Sequence, residues 1–305
     1  MIGEGCFKIP SEDYHADPCP SPSMSRGTVI DILDSPARAF QKHPRLNPQP
    51  EDEKDESKFD PGRAAHDLLL EGGTKVFVVT GFDDWKKKDA QEARKAAREA
   101  GMIPLLQKQF DLAKSMTDSA KKQLSECSDL DRCSLADGKA EMTYIYNDAG
   151  TWERCLCDWI SNDQTICIDF KTTKTSANPS RFCRHISDMQ YHIQYAWYRR
   201  VVKGVTGKAP NFIWLVQEEE PPYLCSFMSI DPMYADMAQQ QVELAVKLWR
   251  SCMASGKWPG YTNHICYAGV KPWDLSEWEE KRQAINDDLG IAPPTNDAIF
   301  DAVGL

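Results

Sequence analysis

The chain has no uninterrupted apolar run longer than the five residues Phe212 to Val216, far below the roughly 18 that a membrane-spanning helix needs. No membrane partner is expected. Met1 to Pro10 offers no basic stretch followed by an apolar one, the pattern of a secretory leader, so the expected location is cytoplasmic. No C-x-x-C pair occurs among the 11 cysteines. Cys155 and Cys157 have one residue between them and Cys167 lies in a different segment, which argues against a zinc ribbon. An odd set of cysteines without a leader is expected to stay reduced, mostly as small buried hydrophobes.

An excess of positive charge is also missing. The net charge is −10, an unpromising sum for a partner of nucleic acid. The distribution reverses that impression. Between Asp169 and Lys208 stand eight basic residues (Lys171, Lys174, Arg181, Arg184, Arg199, Arg200, Lys203, Lys208) against the acids Asp169 and Asp188, giving this segment +6 and leaving −16 on the remainder. One basic region on an acidic body suits a localised phosphate-binding face; a solvated helix surface has the same charge pattern.

Residues 1 to 22 are polar and carry Pro10, Pro18, Pro20 and Pro22, which reads as an extended arm. Ser25 is placed to cap a helix from Arg26, and Ser35-Pro36 to start another through Phe40. Pro44 to Asp60, with its acidic run 51–56, reads as a surface or disordered loop. Helices are expected over Gly62 to Glu71, Lys86 to Ala100 before Gly101, and Leu105 to Leu124, with a strand at Val76 to Thr80. Three antiparallel strands follow at Glu141 to Tyr146, Trp152 to Ile160 and Thr165 to Phe170, separated by turn signals. Met189 to Val202 reads as a helix, Asn211 to Gln217 and Leu224 to Ile230 as strands, Met233 to Ser255 as a long helix ending at Gly256, and Leu275 to Asp287 as a short one. Strands in the centre with helices before and after predict an α/β fold, a central mixed β-sheet flanked by helices.

Asp169-Phe170-Lys171 has the form acid-x-Lys, but so do Asp52 to Lys54, Glu56 to Lys58, Asp84 to Lys86, Asp137 to Lys139 and Glu279 to Lys281. The setting separates Asp169: it closes the apolar strand Ile166-Cys167-Ile168. Residues i and i+2 of a strand point to one side, so Asp169 and Lys171 project together. Eleven residues earlier Asp158 follows Cys155-Leu156-Cys157, and a hairpin at Ser161 to Gln164 brings the two carboxylates side by side. Two ionised acids at close range repel, so the pair holds either a proton or a divalent cation. Mg²⁺, for which Mn²⁺ can substitute, accepts a few carboxylates together with water and phosphate oxygens. A lysine beside it steadies developing charge on a phosphate.

From about Ser11 to Trp258 the chain resembles the RecB-like branch of the PD-(D/E)xK nucleases, and within it the RecE-type exonucleases (exonuclease VIII). The resemblance is carried by Asp13-Tyr14-His15-Ala16, Met24-Ser25-Arg26, Ser35-Pro36, Gly62-Arg63-Ala64-Ala65-His66, Leu68-Leu69-Leu70-Glu71 and Ala140-Glu141. Asp158, Asp169-Phe170-Lys171-Thr172-Thr173, Tyr191-His192-Ile193-Gln194 with Tyr198, and Trp258-Pro259 complete it. It implies a restriction-endonuclease-like core over 61–260, with a helical insertion at about 84–125, an N-terminal arm over 1–60 and a tail over 261–305.

The resemblance further implies that His66, Asp158, Asp169 and the Phe170 carbonyl bind metal, that Lys171 is the catalytic lysine, and that Glu141 is an acid beside the site. Gln194 and Tyr198 match a Q-x-x-x-Y signature turned toward DNA; Thr172, Thr173 and Arg181 are further expected DNA contacts. The implied activity is Mg²⁺-dependent 5′→3′ digestion of double-stranded DNA ends. It would leave 3′ overhangs for a RecT-type annealing protein in phage-like recombination, with the enzyme a homo-oligomer such as a ring-like tetramer. Cys155-Leu156-Cys157 departs from the basic residues relatives often carry there, and the lone Cys252 and Cys266 do not form the clustered set of iron–sulfur relatives. His185 and His192 are expected to pack or touch phosphate rather than bind metal. Two other readings stay open: an endonuclease or single-strand nuclease of the same fold, and an inactive DNA-binding or assembly protein.

Overall fold

The computed structural model describes residues 1–48, 60–130 and 134–290. The acidic run 51–56 of the expected loop lies outside them. The chain divides into two units, Met1–Gly260 and Tyr261–Leu305. In the second, helix α10 spans Pro272–Leu289. No helix among the described residues is long and apolar enough to cross a membrane.

The first unit begins with strand β1 (Gly5–Phe7) and helix α1 (Ser11–His15), so residues 1 to 22, expected as an extended arm, include a five-residue helix. Tyr14 is buried, and a buried polar knot ties the segment down. Arg154 donates to the Tyr14 and Ser23 carbonyls and pairs with Asp17 at 3.2 Å, while His43 Nε2 lies 3.0 Å from the Ser23 carbonyl. Helix α2 (Arg26–Asp34) starts at Ser25, whose hydroxyl accepts from the Thr28 amide, and α3 (Pro36–Lys42) starts at Ser35-Pro36. Helix α4 (Asp60–His66) runs into a π-helical turn, Asp67–Glu71, closed by Gly72 at φ 75°.

Strand β2 (Val76–Val79), helix α5 (Lys88–Glu99) and strand β3 (Ile103–Leu106) form a small unit in which β2 and β3 pair in parallel, apart from the main sheet. Helix α6 (Gln107–Ser125) therefore begins after a strand that the apolar pattern alone merged into it. Strands β4 (Gly138–Asp148), β5 (Thr151–Ser161) and β6 (Ile166–Thr173) are the expected antiparallel set. Next come α7 (Pro179–Asp188), α8 (Tyr191–Thr206), β7 (Asn211–Glu218), β8 (Cys225–Met228) and α9 (Pro232–Ser255). The sequence reading has no helix at α7, because only Phe182 and Ile186 of its ten residues carry a buried apolar side chain.

Among the described residues six strands form one sheet in the order β1-β4-β5-β6-β7-β8, mixed because β6 and β7 run in parallel. Helices cover both faces. Tyr144, Cys155, Cys157, Cys167 and Trp214 pack with α2, α8 and α9; Trp159, Ile168, Phe170 and Leu215 pack with α4 and α6. Alternate residues of β6 and β7 thus enter opposite cores, which is why both strands read as almost continuously apolar. The ten cysteines among the described residues are free thiols.

Gly138 lies so close to the Trp159 ring that a Cβ there would fall 2.1 Å from Cζ2 and 2.6 Å from the Ile160 carbonyl. Gly138→Ala is expected to lower stability by about 1–3 kcal/mol through overpacking, read as a lower urea midpoint at unchanged slope.

Candidate metal centre and active site

Where β5 meets β6 the ladder is short. Only Trp159 with Ile168 and Ile160 with Cys167 pair. Beyond them the strands separate, and the Asp158 carboxylate accepts the Phe170 amide at 3.0 Å. The same level of the β4–β5 ladder is interrupted: Ala140 pairs with Trp159 and Met142 with Cys157, while Glu141 stands between them at φ 56°. A non-glycine residue held there costs about 1–3 kcal/mol and is concentrated at functional sites. The break turns Glu141 toward the opening.

Helix α4 brings the third group. Its start is pressed onto β6, since a Cβ on Gly62 would lie 2.9 Å from Thr172 Oγ1, and Ala64 and Ala65 are fully buried beneath it. His66 at its end places Nε2 3.2 Å from Asp158 Oδ2 and Nδ1 3.8 Å from Glu141 Oε1. His66, Glu141 and Asp158 each offer a donor atom within 4.8 Å of the others. One imidazole and two carboxylates, open on one side, fit a hard divalent cation that keeps water or phosphate oxygens as remaining ligands.

Asp169 and Lys171 lie on the α8 side of β6. Gln194 Nε2 donates to Asp169 Oδ1 at 2.6 Å, and the Gln194 carbonyl oxygen accepts from Trp214 Nε1 at 3.3 Å. Lys171 Nζ forms an ion pair with Asp169 Oδ2 and stands 5.5 Å from the centre of the Tyr191 ring. Lys171 keeps a quarter of its side chain exposed, whereas Asp169 is almost wholly covered. The lysine opens into a cleft of about 770 Å³ lined by His66, Glu141, Phe170, Thr172 and Thr173 among others.

Charge couples these groups. Burial works against a charged His66, yet the charge and hydrogen bond of Asp158, backed by Glu141 and Asp169, lift its pKa to about 9. Burial and the nearby Asp158 push Glu141 to about 7, against the pull of His66. Burial and Asp158 push Asp169 to about 6, opposed by Lys171 and Gln194. Asp158 overcomes its own burial through His66, Lys171 and the Phe170 amide, and stays below the usual carboxylate range. Burial disfavours the Lys171 ammonium, but Asp169 and Asp158 hold it charged, above the usual lysine value.

The structure thus brings together His66, Glu141 and Asp158, and beside them Asp169, Lys171 and Gln194. Asp169 is not one of the three converging donors; its oxygens meet Gln194 and Lys171. Phe170 contributes its amide to Asp158 and its buried ring to the α4 core. Tyr198, expected to face DNA, is buried with its ring edge-on to Phe212. Its phenol is buried within electrostatic reach of Asp169 and Asp158, beneath the site rather than at the surface. Arg181 is exposed on α7 in a neighbouring hollow. Sequence reasoning missed Tyr191 as a shelf for two cations, Lys171 and Arg26, each 5.5 Å from its ring centre. An aromatic opening the signature helix was the available signal.

A family described as a PDDEXK-like domain of unknown function (DUF3799) matches residues 25–269. The crystal structure of a "Putative exonuclease" from Eubacterium rectale is similar over 88% of this chain and 98% of its own length, with a TM-score of 0.53 and 15% identity, a likeness of fold. The crystal structure of SSO0001 aligns over 70% of this chain and 98% of its own length at 15% identity, with a TM-score of 0.25. No curated protein matches the chain.

Mg²⁺ or Mn²⁺ is expected to raise the melting temperature, and Asp158→Asn to remove that shift. Cation and proton compete for the same atoms, so affinity falls as pH drops through about 7, where Glu141 gains a proton. At pH 8 binding must also displace the His66 proton, held with a pKa of about 9. Calorimetry in buffers of different ionisation enthalpy reads that release.

Proposed function

The chain belongs to the family described as a PDDEXK-like domain, and so to the PD-(D/E)xK nuclease superfamily, the fold and the match over residues 25–269 agreeing; from that premise we propose that it hydrolyses DNA phosphodiester bonds as a RecE-type, Mg²⁺-dependent exonuclease. On this reading it digests linear duplex DNA 5′→3′ and leaves 3′ single strands. The observation that carries it is the meeting of the His66, Glu141 and Asp158 donors with the Asp169–Lys171 ion pair at one opening in the sheet. Acids crowded this closely, Asp169 among them almost wholly covered, are costly to keep charged without a cation to offset them.

His66, Glu141 and Asp158 would hold a divalent cation, which would supply Lewis-acid polarisation of the scissile phosphate. The protein's own groups do the rest. Asp158 and Glu141 orient the donor set, with the Phe170 amide fixing the Asp158 carboxylate. Gln194, itself braced by Trp214, holds Asp169, which in turn aims the Lys171 ammonium at the cleft. From there Lys171 donates a hydrogen bond to a phosphate oxygen and steadies the charge that grows on it. Thr172 and Thr173 line the same wall. The reading extends to a closed homo-oligomer such as a tetramer, a RecT-type annealing partner, a phage-like role in recombination and a cytoplasmic setting; for these the support is the sequence resemblance alone.

With Mg²⁺ the purified protein is expected to release label from the 5′ end of linear duplex DNA before the 3′ end, and to leave a covalently closed circle intact. Lys171→Ala and Asp169→Asn should each cut the rate about 100-fold or more with an unchanged circular dichroism spectrum. Full activity in either variant overturns the assignment, and cleavage of the closed circle points instead to an endonuclease.

A further inference from the structure

Helix α7 lies between the active-site strand and the signature helix, and its two sides differ sharply. Phe182 and Ile186 are buried, four residues apart. Arg181, Arg184, His185 and Asp188 are exposed at spacings i, i+3, i+4 and i+7, a single helical face. Neither Arg181 nor Arg184 makes a side-chain hydrogen bond or ion pair with a described residue, in a body that is otherwise rich in paired charge.

This face lines a hollow of about 440 Å³ together with Thr175 and Ser176, and Asp188 is its one acidic lining residue. The hollow adjoins the active-site cleft: Thr175 and His185 line both. Cationic groups therefore continue from Lys171 and Lys174 in the cleft to Arg184 and Arg181 beyond it. His185 links the two, its ring 5.8 Å from and edge-on to Tyr191, the same ring that carries Lys171.

The arrangement is held in place before any ligand arrives. Ser176 Oγ and the Ala177 amide donate to Glu218 Oε1 at 3.0 and 2.9 Å, fixing the loop from β6 onto β7. The Asn178 side chain accepts the Ser180 amide and Pro179 occupies the first turn, so α7 has a defined start. Phe182 stacks on Tyr191 with ring centres 6.3 Å apart. Guanidiniums in a row on a helix whose start is fixed, spaced from a phosphate-cleaving centre, suit a polyanion with regularly repeated charge.

We infer that the outer face of α7, through Arg181, Arg184 and His185, binds the phosphodiester backbone of the DNA strand that passes through the cleft, at phosphates flanking the scissile one. The inference rests on the nuclease reading for the identity of the ligand, and goes beyond it by giving that strand a path out of the site. The face acts as a positioning track. It sets where the backbone lies relative to Lys171 without touching the reacting atoms.

Binding of a fluorescent linear duplex with Ca²⁺ in place of Mg²⁺ tests this apart from cleavage. The double variant Arg181→Ala/Arg184→Ala should bind about tenfold or more weakly and lower the slope of log affinity against log salt by about two, roughly one for each lost phosphate contact. Lys247→Ala, an exposed cation on α9, controls for general loss of charge and should leave the slope within the error of the wild type. A duplex with neutral methylphosphonate linkages near the labelled end should weaken binding to the wild type but not to the double variant. Equal affinity and slope in wild type and double variant overturn the inference, as does a wild type that binds no DNA. A wild type that binds through α7 yet cleaves nothing in Mg²⁺ sinks the nuclease reading and leaves the track standing.

Discussion

The hydrogen bond from the Phe170 amide to the Asp158 carboxylate stands where a strand-to-strand bond would be, and the site is organised around that exchange. A buried amide without an acceptor costs about 1–3 kcal/mol. By accepting it, Asp158 lets β5 and β6 part after two ladder pairs without leaving the backbone unsatisfied. The same oxygen faces His66 Nε2 at 3.2 Å. One carboxylate thus closes the sheet's hydrogen-bond account and opens the gap in which the chemistry sits.

That gap explains how groups from two separate cores come to meet. His66 arrives with α4, whose neighbours Ala64, Ala65 and Leu69 belong to the core on one face of the sheet. Gln194 and Tyr191 arrive with α8, which packs on the other. In an unbroken sheet the pleat would keep the two sets apart. Small residues make the approach close enough: Gly62 leaves no room for a Cβ against Thr172. The π-helical turn directly after His66 is the kind of local distortion found at functional sites.

The strands that carry the site were legible because their chemistry is unusual in one dimension. Ile166-Cys167-Ile168 before Asp169 is a short apolar run ending in an acid, and the turn residues from Ser161 fix the pairing of β5 with β6. Helix ends were legible where a cap or a glycine stood, as at Ser25 and Gly256. What could not be read were features set by tertiary contact. Glu141 is drawn into the donor set by a backbone twist at φ 56° that its neighbours Ala140 and Met142 do not announce. Ile103 to Leu106 pairs with β2, which no local pattern distinguishes from the start of a helix. Arg154 is basic and close to the first site acid, yet it is buried on Asp17, Ser23 and Tyr14 and holds the N-terminal segment to β5.

The same distinction applies to charge. Of the basic residues between Asp169 and Lys208, Arg200 is consumed by Glu153 and Asp148, Arg199 donates to the Pro210 carbonyl while lying over Tyr195, and Lys208 donates to the Asp163 carbonyl. These three brace the fold. Lys171 is engaged by Asp169 but faces the cleft, and Arg181 and Arg184 face outward from α7. A count of +6 along the sequence therefore overstates the field available to a ligand at α8 and locates it instead at the β6–α7 end. At that end Thr175 and His185 line both the α7 hollow and the cleft, so the field of Arg181 and Arg184 adds to that of Lys171 and Lys174 beside the opening between β5 and β6.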